Sequence, residues 1–176
     1  MTFIAKSITA FYSEQEDRLG LVFSDKDENQ LAGSVTRQLF KGLLAQLPDW
    51  LAKQSSNAMP CSTGQQQAIN HMQHEVSLQR ATVTYGEMPW NEQLETFLIG
   101  NISLTKIDLE AGDYKIKLVF QSLDKVTKIV FVLSAEQLHK LMDEMLKQVK
   151  AWDINNPWQE KRDTFALSDM QDGMLH

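Results

Sequence analysis

The sequence predicts an α+β fold made of two β-β-β-α repeats, each an antiparallel three-strand meander followed by a helix. The tripeptide Leu-Val-Phe occurs at 21–23 and again at 118–120, each time inside a run that alternates apolar residues with others. That alternation is typical of a half-buried strand. In both halves a polar turn, a further strand and a helix with one apolar stripe follow. Such a helix covers the apolar face of a meander.

The first repeat has strands predicted at 8–12, 19–23 and 30–35. A polar turn, DKDEN, joins the last two of them, as in a hairpin. The helix begins near Ser34 or Thr36, because either hydroxyl can accept a backbone N–H as an N-cap does. Pro48 removes a backbone donor, so the helix either ends near Leu47 or continues through Trp50 with a kink.

The second repeat has strands predicted at 102–109, 114–120 and 126–133. Ser134 followed by Gln137 fits a capping box, which starts a helix that runs from 135 to about 152. The apolar positions of this helix match those of the first, as Leu138 matches Phe40. Because nearly every matched position is apolar, the repeat is interpreted as structural, with approximate two-fold symmetry. The sequence leaves open whether the strands form one sheet or two.

The predicted organisation has four parts, with the first repeat at 1–55, a linker at 56–93, the second repeat at 94–152 and a tail at 153–176. The linker carries a short helix, at about 64–80, that is capped by Ser62 or Thr63. Its weak apolar side comprises Ile69, Met72 and Val76. The tail lacks sustained periodicity, so it is either disordered or docked through Trp158, Phe165 and Leu167.

The segments DRLGLVF and SVTRQLFKGLL resemble a family of uncharacterised bacterial proteins. In that family a strand that begins Asp-Arg-Leu is followed by a hairpin and by a Leu-rich helix that starts with Thr-Arg. The second half is similar as well, with a meander and a helix that ends near an Ala-Trp pair, here Ala151 and Trp152. The resemblance covers both repeats and omits the linker and the tail. It implies an intracellular two-repeat fold without catalytic residues.

Composition and charge restrict the classes of partner. The chain has 23 acidic and 17 basic side chains, a net charge of −6. Because its Lys and Arg are scattered among acids, nucleic acid and anionic membranes are disfavoured, unless folding gathers a local basic patch. No apolar run approaches the ~18 residues of a membrane-spanning helix. The single cysteine, Cys61, excludes an internal disulfide and fits a reducing compartment, so the predicted localisation is cytoplasmic.

His71 and His74 are the predicted metal ligands. Residues at i and i+3 share a helix face, so both imidazoles can reach one ion. A complete site needs one or two more ligands, for which the chain offers Cys61, His139 and His176. The alternative is a pair of surface histidines on a polar helix, and the missing third ligand favours it.

Other reactive or charged residues have simpler structural interpretations. Cys61 is a candidate nucleophile, but no base is placed beside it, which favours an ordinary thiol. Asp17 and Arg18 form either an anion-binding fork or an ion pair at a turn, and the ion pair is favoured. Arg37 either helps to bind an anion at the helix N-terminus or is solvated. The acidic 25–28 turn lacks the spacing of an EF-hand. The sequence therefore predicts no catalytic residue and no cofactor.

These observations favour a non-catalytic cytoplasmic adaptor or assembly protein, with a protein partner and the option of a homodimer. Trp50, Trp158 and Phe165 are the predicted interaction residues, because aromatic side chains often anchor interfaces. The alternative is a small-molecule or metal-binding protein, including an enzyme, with its site in the cleft between the repeats. Clefts between units are common ligand sites.

Overall fold

The computed structural model describes residues 1–54, 62–83 and 94–159, which form an α+β fold with one mixed seven-strand sheet and three helices. The strands are β1 (Thr2–Ala5), β2 (Ser7–Ser13), β3 (Arg18–Ser24), β4 (Gln30–Val35), β5 (Thr96–Asp108), β6 (Tyr114–Ser122) and β7 (Lys128–Leu133). The helices are α1 (Arg37–Gln54), α2 (Thr63–Arg80) and α3 (Ala135–Gln148), with short 3-10 helices at Glu110–Gly112 and Lys150–Trp152. In this part of the chain, no helix is long and apolar enough to cross a membrane.

The sheet closes on itself. Its strand order is β1-β7-β6-β5-β4-β3-β2, so β1 and β2 stand at opposite ends of the order. Only Lys6 separates these two strands along the chain. The edges of a flat sheet of seven strands would lie about 29 Å apart, whereas Ala5 and Ser7 are within about 7 Å of each other. The two strands therefore act as one long strand that closes a barrel.

The pairing within the barrel combines two antiparallel meanders with two parallel junctions. The strands β2, β3 and β4 are antiparallel neighbours, and so are β5, β6 and β7. β4 pairs with β5 in parallel, and β7 pairs with β1 in parallel. The sequence left one sheet or two open, and the structure has one.

The apolar core fills the barrel interior. Leu19, Leu21 and Phe23 alternate along β3 and share this core with Ile116, Leu118 and Phe120 of β6. The rings of Phe23 and Phe120 have centroids 5.0 Å apart. The apolar stripes of α1 and α3 join the same core through Phe40, Leu43, Leu44, Leu47, Leu138, Met142 and Met145.

The predicted helix starts at Ser62, one of two candidates, and at Ser134 are confirmed, while the helix ends differ from the prediction in part. Ser62 and Ser134 each form a capping box, with Gln65 and with Gln137. α1 continues through Pro48 to Gln54, because Leu51 extends the buried stripe beyond the proline. α3 ends at Gln148, and the 3-10 helix at 150–152 takes the place of its predicted last turn.

The elements differ from the sequence-based expectations in three respects. The sequence did not predict β1, and it placed the start of β5 at 102 although the strand begins at Thr96. It also placed Ile69, Met72 and Val76 on a weak apolar side of α2, and all three are exposed. The only buried residue of α2 is His74, because the helix packs on α3 through its opposite face.

The two-repeat architecture and the four-part division stay predictions. The residues 55–61, 84–93 and 160–176 lie outside the described part of the chain, and with them Cys61, Phe165, Leu167 and His176. Trp158, at the start of the predicted tail, is described and packs into the core.

Candidate functional site

A groove lies where β4 and β5 separate. β4 pairs with only the first residues of β5, Ala32 with Thr96 through Ser34 with Leu98. The chain then leaves the sheet at Val35 and begins α1, while β5 continues to Asp108. α1 packs along this continuing part of β5. A helix is a usual cover for a strand edge, but here the cover is incomplete.

The groove has a volume of about 540 Å³. It is lined on the helix side by Gln38, Leu39, Gly42, Leu43, Gln46, Leu47 and Trp50, and on the strand side by Asn101, Ile102, Ser103 and Leu104. Successive side chains of a strand point to opposite faces of the sheet. Four consecutive residues can therefore line one groove only if it runs along the edge of the strand. All the lining residues are uncharged.

The pairing registers show which backbone groups of β5 face the groove. Ser122 donates its N–H to the carbonyl of Thr127, and Leu109 donates to the carbonyl of Asp113. Along an antiparallel ladder every second residue pair is hydrogen-bonded. Counted back from the bonded pair of Leu109 and Asp113, the bonded residues of β5 include Ser103 and Asn101, which bond to β6.

Ile102 and Leu104 therefore point their backbone N–H and C=O groups away from β6, toward the groove. No hydrogen bond from any other described residue reaches these groups. Both side chains are partly buried and pack against the core, which fixes the strand at this edge. The groove thus offers two donors and two acceptors at the spacing of an extended chain.

Gly42 lies in the middle of the helix wall. A Cβ at this position would meet no atom within 4 Å, so packing does not require a glycine here. Glycine inside a helix costs up to about 1 kcal/mol relative to alanine. The chain accepts this cost at Gly42, which lines the groove together with six side chains of α1 and leaves the space beside it open. An isolated glycine in the stripe between Leu39 and Leu43 was the sequence signal for this site, and sequence reasoning missed it.

The predicted interaction residues have different positions. Trp50 is partly buried and lines the groove. Trp158 is 2% exposed and packs between α2 and α3, so its ring is not available at the surface. Phe165 lies outside the described residues.

A second cluster joins α2 to α3 through two histidines. His74 and His139 are both buried, and their Nδ1 atoms are 2.8 Å apart. One Nδ1 must donate and the other accept, so the two rings are opposite tautomers when both are neutral. The ring of Trp158 stacks on His74 with centroids 4.5 Å apart and meets the edge of His139. The Nδ1 of His71 is 2.7 Å from the carbonyl oxygen of Trp158 and donates to it.

Burial sets the protonation of this cluster. It lowers the pKa of His139 to about 4, with a further contribution from the neighbouring His74. Burial also lowers the pKa of His74, against the opposing charges of Asp143 and Glu75. Both rings are neutral at pH 7.

The structure brings the predicted ligand His74 to His139, whereas the Nδ1 of His71 bonds to the carbonyl oxygen of Trp158. In the ranges 1–54, 62–83 and 94–159, no three His, Cys, Asp or Glu side chains converge as a metal ion would require. Cys61 and His176 lie outside those ranges. A metal site at His71 and His74 stays a prediction.

The third polar cluster is centred on Asp17. Its carboxylate accepts from the Tyr12 hydroxyl at 2.5 Å, from the Trp152 indole N–H at 2.6 Å and from the Arg37 guanidinium at 2.7 Å. The bonds from Tyr12 and Trp152, followed by Arg37, hold the pKa of Asp17 below its usual value. The partner of Asp17 is thus Arg37 at the start of α1, while Arg18 lies 3.8 Å from Glu16.

Comparison of the chain with models of known families, with curated proteins and with solved structures finds no match. The resemblance to a bacterial family therefore stays a prediction, and function is argued from the geometry alone.

Proposed function

We propose that this chain is a non-catalytic protein-interaction protein that binds an extended segment of a partner as an additional strand on the edge of β5. The observation that carries the proposal is a pair of backbone positions, Ile102 and Leu104, that face a groove walled by α1 and receive no hydrogen bond from the described residues. Strand addition to an open edge uses main-chain hydrogen bonds for affinity and alternate side chains for specificity.

The lining of the groove supports a particular kind of segment. Leu39, Leu43 and Trp50 offer apolar contact, and Gln38 and Gln46 offer uncharged polar groups. In a strand added beside β5, every second side chain would point toward α1, into the space above Gly42. A segment with an apolar residue at that position fits, whereas a charged residue would lose water without a partner.

The two-repeat architecture is part of the same proposal. Ile8 faces Phe23 across β2 and β3, and Ile102 faces Phe120 across β5 and β6. The second unit begins with β5, which pairs in parallel with β4, the last strand of the first unit. The first unit begins with β1, which pairs in parallel with β7, the last strand of the second unit. These matching pairings support a duplicated unit whose approximate two-fold axis runs along the barrel. The groove then lies at a junction between the repeats, where the helix of one covers the long strand of the other.

The second candidate is a small apolar ligand in the same groove, since about 540 Å³ is within the range of small-molecule sites. The unbonded amides favour a peptide, because a small apolar molecule would leave them without partners. Hydrogen exchange separates the two. A peptide bound as a strand protects the amides of Ile102 and Leu104, while those of Asn101 and Ser103 are already protected by β6.

The test uses peptides selected from a random display library on the full chain, then measured against two variants. Gly42→Ala keeps the groove open, and Gly42→Phe fills it, while both replace the glycine with a better helix former. We expect the selected peptides to bind Gly42→Ala like the natural chain and to lose at least about tenfold in affinity for Gly42→Phe. N-methylation of the peptide, one residue at a time, should weaken binding at every second residue, because only alternate N–H groups bond to β5. Equal affinity for Gly42→Phe, or no such period, would refute strand addition at this groove.

A further inference from the structure

The β3–β4 and β6–β7 turns lie at the same end of the barrel. β4 and β5 run in parallel, and each is antiparallel to the strand paired on its other side, so β3 and β6 share one direction. Both strands therefore end at the same rim. Met1 lies there too, because its amino group donates to the carbonyl of Val126 in the second turn.

The two turns carry opposite charge. The first contains Asp25, Asp27 and Glu28 with one lysine, Lys26, which leaves a formal charge of −2. The carboxylate of Asp25 accepts three hydrogen bonds within the turn, which leaves Asp27 and Glu28, both exposed, as its outward charges.

The second turn is basic and apolar. Lys125, Lys128 and the terminal amino group outnumber Asp124, which gives a formal charge of +2. Asp124 is held inside the turn by the Ser122 hydroxyl and the Val126 N–H. The apolar side chains at this turn are Met1, Leu123 and Val126, which are 67%, 64% and 62% exposed. Large apolar side chains this exposed and this close together mark a contact surface.

We infer that two copies of the chain associate end to end, with the acidic turn of each copy against the basic and apolar turn of its partner. A two-fold axis perpendicular to the barrel places the turns in this way, because the acidic and basic turns occupy the same rim. Such an interface is isologous and closed, so it gives a dimer and no filament. In each of the two contacts, a turn with a formal charge of −2 meets a turn with a formal charge of +2. Burial of Met1, Leu123 and Val126 adds an apolar contribution to the free energy of association.

The rim of one barrel is small, so the dimer is expected to be weak and sensitive to salt. It leaves the β5 edge free and does not depend on the proposed peptide site.

The test is a charge swap followed by sedimentation velocity over a range of concentrations at low and high salt. The variants are Lys125→Glu with Lys128→Glu, and Asp27→Lys with Glu28→Lys. We expect each double variant to raise the dimer dissociation constant at least about tenfold, because like charges then face each other. A mixture of the two variants should dimerise again, since each supplies the charge that the other lacks.

The matched control is Lys115→Glu with Lys117→Glu, which makes the same charge change on the outer face of β6. It should leave the dissociation constant unchanged. A monomer at every concentration, a dimer that survives both rim variants, or a mixture that fails to recover would each overturn the inference.

Discussion

Phe23 of β3 and Phe120 of β6 meet across the barrel interior with ring centroids 5.0 Å apart. In a flat sheet their strands, three positions apart, would be separated by about 14 Å. Their contact therefore depends on closure, and it joins the two meanders at equivalent positions of the Leu-Val-Phe motif.

We expect Phe23→Ala and Phe120→Ala each to lower the free energy of unfolding by about 3–5 kcal/mol, because each leaves a cavity in a core without exposure to water. Chemical denaturation measures this change. Phe23→Leu, which better preserves volume, should cost less than about 1.5 kcal/mol. The double alanine variant should be less destabilised than the sum of the single variants, since the rings contact each other. Strict additivity of the two losses in the free energy of unfolding would contradict the contact between Phe23 and Phe120.

The histidine pair should make stability depend on pH. An unfolded histidine has a pKa near 6.5, while that of the folded His139 is about 4, so the unfolded chain binds more protons between these values. The free energy of unfolding should fall as pH falls through this window, by up to ~1.4 kcal/mol per pH unit for each group. Urea titrations at stepped pH measure the slope.

His139→Gln removes one titrating group and should flatten that slope, leaving the contribution of His74, whose pKa burial also lowers. His71→Gln is the control, because His71 is only partly buried and bonds to a carbonyl. An unchanged slope in His139→Gln would exclude His139 as a group that charges only on unfolding.

Asp17 ties the start of α1 to the 3-10 helix at 150–152, through Arg37 and Trp152. Asp17→Asn should lower stability, because the amide cannot accept as the carboxylate does from three donors. Asn also tolerates the positive φ of 50° at this position, so the backbone is not the cause. The folded pKa is lowered, so the contribution of Asp17 is present above the unfolded pKa and is lost as pH falls through the folded value.

The stability difference between Asp17→Asn and the natural chain should therefore shrink at acid pH. Asp27→Asn, an exposed change in a different turn, serves as the control and should change stability little. Thermal unfolding followed at the tryptophan signal measures both. A difference that persists at acid pH would point to a loss of packing and away from charge.

Gly20 lies beneath the ring of Phe11, and a Cβ there would be 2.0 Å from the Phe11 Cζ atom. We expect Gly20→Ala to cost about 1–3 kcal/mol by displacing the ring. The loss should be smaller when Phe11→Ala is already present. Gly42→Ala is the matched control and should stabilise by up to about 1 kcal/mol, since it meets no neighbour. Equal effects at the two glycines would contradict the ring placement.

The sequence by itself determined the local elements. Period-2 alternation around Leu21 and Leu118 predicted strands, and the apolar stripes of α1 and α3 predicted buried helices, because these periodicities follow from backbone geometry alone. Ser134 marked the start of α3 because a capping box acts within four residues, and the start of α2 was narrowed to Ser62 or Thr63. The sequence patterns missed β1 and the first residues of β5. The weak stripe of Ile69, Met72 and Val76 said nothing about which face of α2 meets α3.

Only the tertiary structure decided how these elements close and what they leave open. The N-terminal strand reaches both β7 and β3, so closure depends on pairs more than a hundred residues apart, which no local pattern records. Within the described residues, the edge at Ile102 and Leu104 is left without a neighbouring strand because β4 is shorter than β5. The pairing of Asp17 with Arg37 and of His74 with His139 likewise requires the folded chain, because side chains remote in sequence find one another only when the sheet has closed.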